Sequence, residues 1–257
     1  MTTKKIFVIL ENNPEVMNAL AAKLGLSPDL AFYDVWSLDE PSLLAHIPRP
    51  AHALLVIVPL TDAWNQERER EDVADYSYYY DKEGDGSGSE HKQPPPVIWF
   101  KQTIGEACGS IGMLHCAING AAAQFIVPSS ALDKIRTDAL PLAMDDRAQM
   151  LYDSQPFEDA HASVAAMGDT VAPPVGVNGV HTGQHFIAFV KGDDGHLWEL
   201  EGSRRGPIDR GQLAEDEDVL SPRALELGLK RIIKLDQDAG SKDLRFSCTA
   251  LAPRGES

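Results

Sequence analysis

The apolar residues of this chain come in short bursts, and their spacing constrains the fold more than any other feature. KIFVIL (5–10), AFYDVW (31–36), ALLVIVPL (53–60), HFIAFV (185–190), HLWELE (196–201) and LRFSCTAL (244–251) are each six to eight residues long and rich in branched or aromatic side chains. Runs of that length suit strands. None approaches the roughly 18 consecutive apolar residues that a membrane-spanning helix needs. Between the runs the period changes to that of a helix. Asn13-Pro14-Glu15 supplies an N-cap, a proline at the first helical position and an acidic first turn; Val16, Leu20 and Leu24 follow at helical spacing, and Gly25 stops the helix. With a short helix near 39–46, the chain opens as β-α-β-α-β, KIFVIL being a buried first strand.

The middle of the chain is less regular. From Asn65 to Pro96 the pattern dissolves into a charge run, QEREREDVAD, a tyrosine cluster (Tyr76, Tyr78, Tyr79, Tyr80) and DKEGDGSGSEHKQPPP. The charge run reads as a solvated helical turn, and 82–96 as a flexible surface insertion whose composition cannot offset the entropy of ordering. Helices are expected around 108–119 and after Ser129-Ser130, and one that Ser221-Pro222 caps and that carries Leu225, Leu229, Ile232 and Ile233. Residues 153–183 show no sustained period and read as a long loop, which in a compact domain is functional or disordered. AEDED (214–218) reads as a solvated loop. The order mixes helices and strands with an antiparallel element, an α/β (α+β) arrangement, and 257 residues fit one domain.

Charge narrows the partners. Thirty-nine acidic against 23 basic residues leave a formal net charge of −16, which repels phosphate backbones and argues against nucleic acid, while a basic protein surface would be attracted. Cys108, Cys116 and Cys248 form no CxxC pair, which suits a reducing compartment, cytoplasmic or also nuclear. MTTKKIFVILENNP has too short an apolar run for a signal peptide.

Chemistry concentrates in two places. In KQTIGEACGSIGMLHC (101–116), Cys108 stands at an expected helix N-terminus, where the dipole favours thiolate. A cysteine at a helix start is by itself more often structural than catalytic; Gly105, Gly109 and Gly112 favour the catalytic reading because they allow close approach of a ligand. Gln102 could offer its amide to a developing oxyanion beside the Cys108 N–H. The second place is the hairpin 185–201: a turn centred on Asp193 sets His185 opposite Glu201, close enough for the carboxylate to fix the imidazole tautomer. The other histidines show no metal-ligand spacing, and Cys116 and Cys248 sit on apolar faces, so neither metal nor cofactor is expected.

QTIGEACGSIGMLH, HFIAFVKGDDGHLWELEG and LENNPEVMNALAAKLGL resemble the nucleophile, histidine-acid and N-terminal motifs of the ubiquitin C-terminal hydrolases, and FYDVWSLDEPSLLAHIPRP and DLRFSCTALAP are similar as well. The resemblance covers nearly the whole chain in order. It implies a papain-like fold with a central antiparallel sheet flanked by helices, a knotted backbone, and a loop crossing over the active site, which falls on 153–183. It also implies a monomeric thiol hydrolase that removes small adducts or short extensions from the C-terminal glycine of ubiquitin. By position, Cys108 becomes the nucleophile, His185 the base and then acid, Glu201 the orienting acid and Gln102 the oxyanion donor, while Glu11, Asn12 and Asp34 become ubiquitin contacts. Two positions depart from the family: Glu201 stands where aspartate is usual, and Glu106 where asparagine is common. The alternatives are a hydrolase for another ubiquitin-like modifier, or a ubiquitin-binding protein without activity.

Overall fold

The computed structural model describes residues 5–80, 96–168, 183–241 and 245–255. In chain order the elements are α1 (Pro14–Leu24), β1 (Leu30–Asp34), α2 (Pro41–Leu44), β2 (Ala53–Pro59), α3 (Asp62–Tyr80), α4 (Cys108–Ile118), a 3₁₀ turn (Gly120–Phe125), α5 (Ala131–Ala139), α6 (Met144–Tyr152), α7 (Gln155–Val164), β3 (Gln184–Lys191), β4 (His196–Leu200), β5 (Ile208–Gln212), α8 (Pro222–Leu227), α9 (Leu229–Asp238) and β6 (Ser247–Pro253). The strands form one antiparallel sheet in the order β1-β6-β2-β3-β4-β5. β6 lies between the first two strands, so a late segment closes the earliest part of the sheet.

Strand alternation divides the interior in two. Along β2, Ala53 and Leu55 face a core built with Leu20, Met113 and Phe157, while Leu54, Val56 and Val58 face one built with Trp64, Leu225 and Ile232. Phe186, Ala188 and Val190 of β3 join the first core and Ile187 and Phe189 the second. Both faces of β2 and β3 are therefore covered by helices, which is why ALLVIVPL and HFIAFV are continuously apolar rather than alternating. α1 follows its cap signals: the Asn13 side chain accepts from Glu15 N–H at 2.7 Å, and Gly25 takes φ +106°.

Several expectations need correction. KIFVIL is not a strand: it makes one parallel bridge, Ile6 to Gly105, and Ile6 and Val8 are exposed while Phe7 and Leu10 are buried, so no neighbouring ladder completes it. The opening is thus α-β-α-β. Residues 62–80 form one long helix instead of dissolving after Asn65, because Thr61 Oγ1 accepts from Trp64 N–H at 3.1 Å and Trp64 anchors the helix in the second core. The insertion expected at 82–96 lies outside the described residues except for Pro96. Of the loop expected at 153–183, residues 155–164 are helical, capped by the Ser154 side chain, and 169–182 lie outside the described residues. The helix after Ser221-Pro222 is two helices, broken at Gly228. In 214–218, Asp218 is buried and accepts from Ala51 N–H at 2.8 Å and from Arg49. The final strand begins at Ser247 rather than at 244.

The hairpin register is also displaced. Ala188 pairs with Leu200 and Phe189 with Glu199, so the turn is centred on Asp194, with Gly195 at φ +80° making an asymmetric connection. His185 therefore does not sit directly opposite Glu201. The displacement is an even number of residues, so both side chains stay on the same face of the sheet.

Candidate active site

Cys108 is the first residue of α4, which packs across β2 and β3. The approach is close because of glycine: a Cβ at Gly112 would lie 2.7 Å from Leu55 Cδ1, and one at Gly109 3.2 Å from the Phe186 ring. These two glycines bring the helix down onto the sheet, which replaces the ligand-approach reading for them. Gly105 faces the Ile6 side chain in the same way. Packing so tight has an electrostatic cost. Burial pushes the Cys108 thiol up to about 12, with the charges of Glu106 and Glu201 adding to the rise, while backbone N–H groups of Phe186 and Gly109 oppose it. Burial thus opposes the thiolate that the helix N-terminus favours. The Phe186 contact places it beside the start of β3, where His185 stands.

His185 Nε2 lies 2.5 Å from Glu201 Oε1, and the glutamate is fully buried. With Nε2 turned to the carboxylate, Nδ1 is the ring atom left to exchange a proton with a thiol. Burial alone would raise the Glu201 carboxyl, but His185 and the hydrogen bonds from Ser203 outweigh it and hold the carboxyl below its usual range. Ser203 N–H donates to Oε1 at 2.7 Å and Ser203 Oγ to Oε2 at 2.9 Å. The Glu201 backbone is fixed as well, its carbonyl accepting from Trp99 Nε1 at 3.1 Å and from Arg204 N–H at 3.2 Å.

Below this turn lies a buried ionic network. Arg204 Nη2 reaches Glu71 and Glu199, each at 3.0 Å, and Arg210 Nε reaches Glu199 at 2.8 Å and its Nη2 Glu71 at 2.8 Å. The acidic face of α3, expected to be solvated, instead neutralises these arginines. Burial would raise Glu199, but Arg210, Arg204 and Arg231 hold it far below the usual carboxylate range.

Gln102 is joined to the same turn: its backbone N–H donates to Gly202 O at 2.7 Å, and its buried side-chain oxygen has no hydrogen-bond partner among the described residues. Glu106, two residues before Cys108, adopts φ +56°, left-handed backbone that asparagine tolerates better than glutamate. The expected contact residues are dispersed. Asn12 spends its amide internally, donating to Leu55 O at 3.0 Å and accepting from Thr249 Oγ1 at 3.0 Å, which straps the N-terminal segment across β2 and β6. Glu11 lies against Gly168, where a Cβ would be 2.6 Å from its carboxylate, and Asp34 is exposed at the end of β1. Cys116 is buried and Cys248 partly so, and burial raises both thiols. His115 and His161 are buried: His115 Nε2 accepts from Phe100 N–H at 2.9 Å, and His161 Nδ1 pairs with Ser110 Oγ at 2.7 Å. The sequence reading missed Ser203 and Trp99. Ser203 had a local signal, a serine two residues beyond an acid in a Gly-Ser turn.

The model of the family described as ubiquitin carboxyl-terminal hydrolase, family 1, matches residues 7–234. Ubiquitin carboxyl-terminal hydrolase 3 of Arabidopsis thaliana is 32% identical over 254 residues, covering 98% of this chain and 97% of that protein. Isozyme L1 of Rattus norvegicus is 31% identical over 242 residues, covering 94% and 96%. Among solved structures, the catalytic domain of Trichinella spiralis UCH37, bound to ubiquitin vinyl methyl ester, superposes with a TM-score of 0.67 at 18% identity, covering 97% of this chain and 96% of that one. The chain, with its cysteine-led helix packed on the strand that carries the acid-paired histidine, belongs to family 1 of the ubiquitin carboxyl-terminal hydrolases.

Proposed function

We propose that the protein is a deubiquitinating thiol hydrolase that cleaves small adducts or short extensions after the C-terminal glycine of ubiquitin. Cys108 is its nucleophile, His185 its base, Glu201 the acid that orients the histidine, and Gln102 an oxyanion donor. The observation that carries the reading is His185 held 2.5 Å from a fully buried Glu201 while the next residue's N–H contacts the Cys108 sulfur. A thiol that burial pushes up to about 12 does not ionise alone at neutral pH, so its proton must go to a neighbour. The imidazole receives it and the Glu201 carboxylate stabilises the resulting charge.

The thiolate then attacks the glycine carbonyl. An S–C bond forms, the carbonyl π electrons move to oxygen, and the Cys108 N–H with Gln102 stabilises that oxygen. Collapse expels the leaving group, which takes the proton from His185. Water, deprotonated by the same imidazole, hydrolyses the thioester and restores the thiol. The negative surface, −16 overall, favours a basic partner face, and Glu11 and Asp34 are the residues suggested to meet it. The loop that the family resemblance sets over the site, 153–183, is the one suggested to limit the size of the leaving group.

Ubiquitin carrying a vinyl methyl ester at its C-terminus tests nucleophile and partner together. A single adduct mapped to Cys108, absent in Cys108→Ala, is the expected result. No adduct with ubiquitin or a related modifier, or one on Cys116 or Cys248, would overturn the reading, and labelling of Cys108 only by a related modifier would reassign the partner.

A further inference from the structure

We propose that Ser203, held in place by Arg68 of α3, is the positioning residue that aligns Glu201 with His185. This rests on Glu201 being the orienting acid. The Ser203 hydroxyl has one proton, and Arg68 Nη1 approaches its oxygen at 2.7 Å. A guanidinium has no acceptor, so the hydroxyl must accept from Arg68 and send its proton elsewhere. Glu201 Oε2, at 2.9 Å, receives it. With Ser203 N–H on Oε1 at 2.7 Å, both carboxylate oxygens are gripped by one residue, and Oε1 is aimed at Nε2 of His185.

Among the described residues, the Arg204 and His115 side chains are committed elsewhere. The Arg204 guanidinium is directed to Glu71, Asp72 and Glu199, and His115 Nε2 is occupied by Phe100 N–H. Arg68 is itself located by its helix, its guanidinium lying 5.0 Å over the ring of buried Trp64. The chain Trp64, Arg68, Ser203, Glu201, His185 thus runs from the second core to the imidazole. It also accounts for the glutamate: its length lets the carboxylate reach the imidazole while both oxygens remain within the turn formed by Ser203.

The test is steady-state hydrolysis of a ubiquitin C-terminal fluorogenic amide by Ser203→Ala, Ser203→Thr, Glu201→Ala and the Ser203→Ala/Glu201→Ala double variant. Melting temperatures establish that each is folded, and Ser203 is exposed enough for that to be expected. Ser203→Ala should lower kcat about tenfold with KM unchanged, the size expected for losing a hydrogen bond to a charged group. Threonine keeps the hydroxyl and should restore most of it. In the Glu201→Ala background the serine change should cost nothing further, since its effect runs through that carboxylate. Unchanged kcat in Ser203→Ala, a loss that adds in full to that of Glu201→Ala, or failure of threonine to rescue would each overturn the proposal. If Glu201→Ala keeps wild-type kcat, the orienting-acid reading fails first and takes the Ser203 proposal with it.

Discussion

Glu201→Asp installs the residue usual in the family, and it should nevertheless damage this enzyme. The change removes one methylene, a bond of about 1.5 Å, and draws the carboxylate back by more than about 1 Å if the backbone stays put. The contact with His185 Nε2 then opens from 2.5 Å to beyond the roughly 3.2 Å limit of a useful hydrogen bond. The Ser203 bonds at 2.7 and 2.9 Å open with it. The backbone cannot readily follow, because the Glu201 carbonyl is tied to Trp99 and Arg204 and the next residue's carbonyl to Gln102 N–H. Hydrogen bonds to a charged group contribute about 1.5–3 kcal/mol, which corresponds to roughly 10- to 100-fold in rate. In the fluorogenic ubiquitin assay, kcat should fall by that factor while KM stays within about twofold, since this carboxylate is fully buried. An aspartate variant with wild-type kcat would show that side-chain length is not what sets the histidine, and would refute the reasoning.

Arg204→Met leaves Glu71 and Glu199 short of a cation inside the fold, a change that costs about 3–5 kcal/mol in buried networks; the melting temperature should drop by roughly 10 °C, and an unchanged value would count against the network. Glu106→Asn removes one of the charges that raise the Cys108 thiol and places a better-suited residue at φ +56°, so mapped alkylation of Cys108 by iodoacetamide at pH 7 should quicken a few-fold, and slower alkylation would refute this. Burial lowers His161 to about 4 and His115 to about 3, so between those values and the ordinary 6.5 the unfolded chain binds more protons than the folded one. Their contribution is fully present above about pH 6.5 and is lost as pH falls, at about 1.4 kcal/mol per unit for each histidine. The carboxylates held low add their own loss only near and below their unfolded value of about 4.3. Denaturant unfolding between pH 5 and 6.5 should therefore show the slope reduced by about one proton in His161→Phe, and an unaltered slope would sink the assignment.

What could be read in advance was what local chemistry determines. The cap at Asn13, the stop at Gly25, the helix beginning at Cys108 and the shared face of His185 and Glu201 each follow from a few adjacent residues or from strand parity, and parity survived a displaced turn. What escaped depends on distant partners. KIFVIL has strand composition but no strand to pair with beyond one bridge. The acids of α3 and Asp218 look solvated until arginines far along the chain are folded against them. Gly109 and Gly112 look like ligand-facing glycines until Phe186 and Leu55 occupy the space. Arg68 and Ser203 meet across 135 residues, a pairing that no period or motif announces.

The placement of β6 bears on how the protein is made. β1 and β2 lie within the first 60 residues, yet the space between them is filled by residues 247–253. A nascent chain that has emerged only as far as β5 already contains Cys108, His185 and Glu201, but β1 and β2 have no ladder between them and the Asn12 strap lacks Thr249. Such long-range pairing is slow to form and leaves apolar edges open while it waits. Translation therefore delivers the reactive residues well before the architecture that holds them, and the ribosome-bound intermediate should be both hydrolytically silent and a client for chaperones.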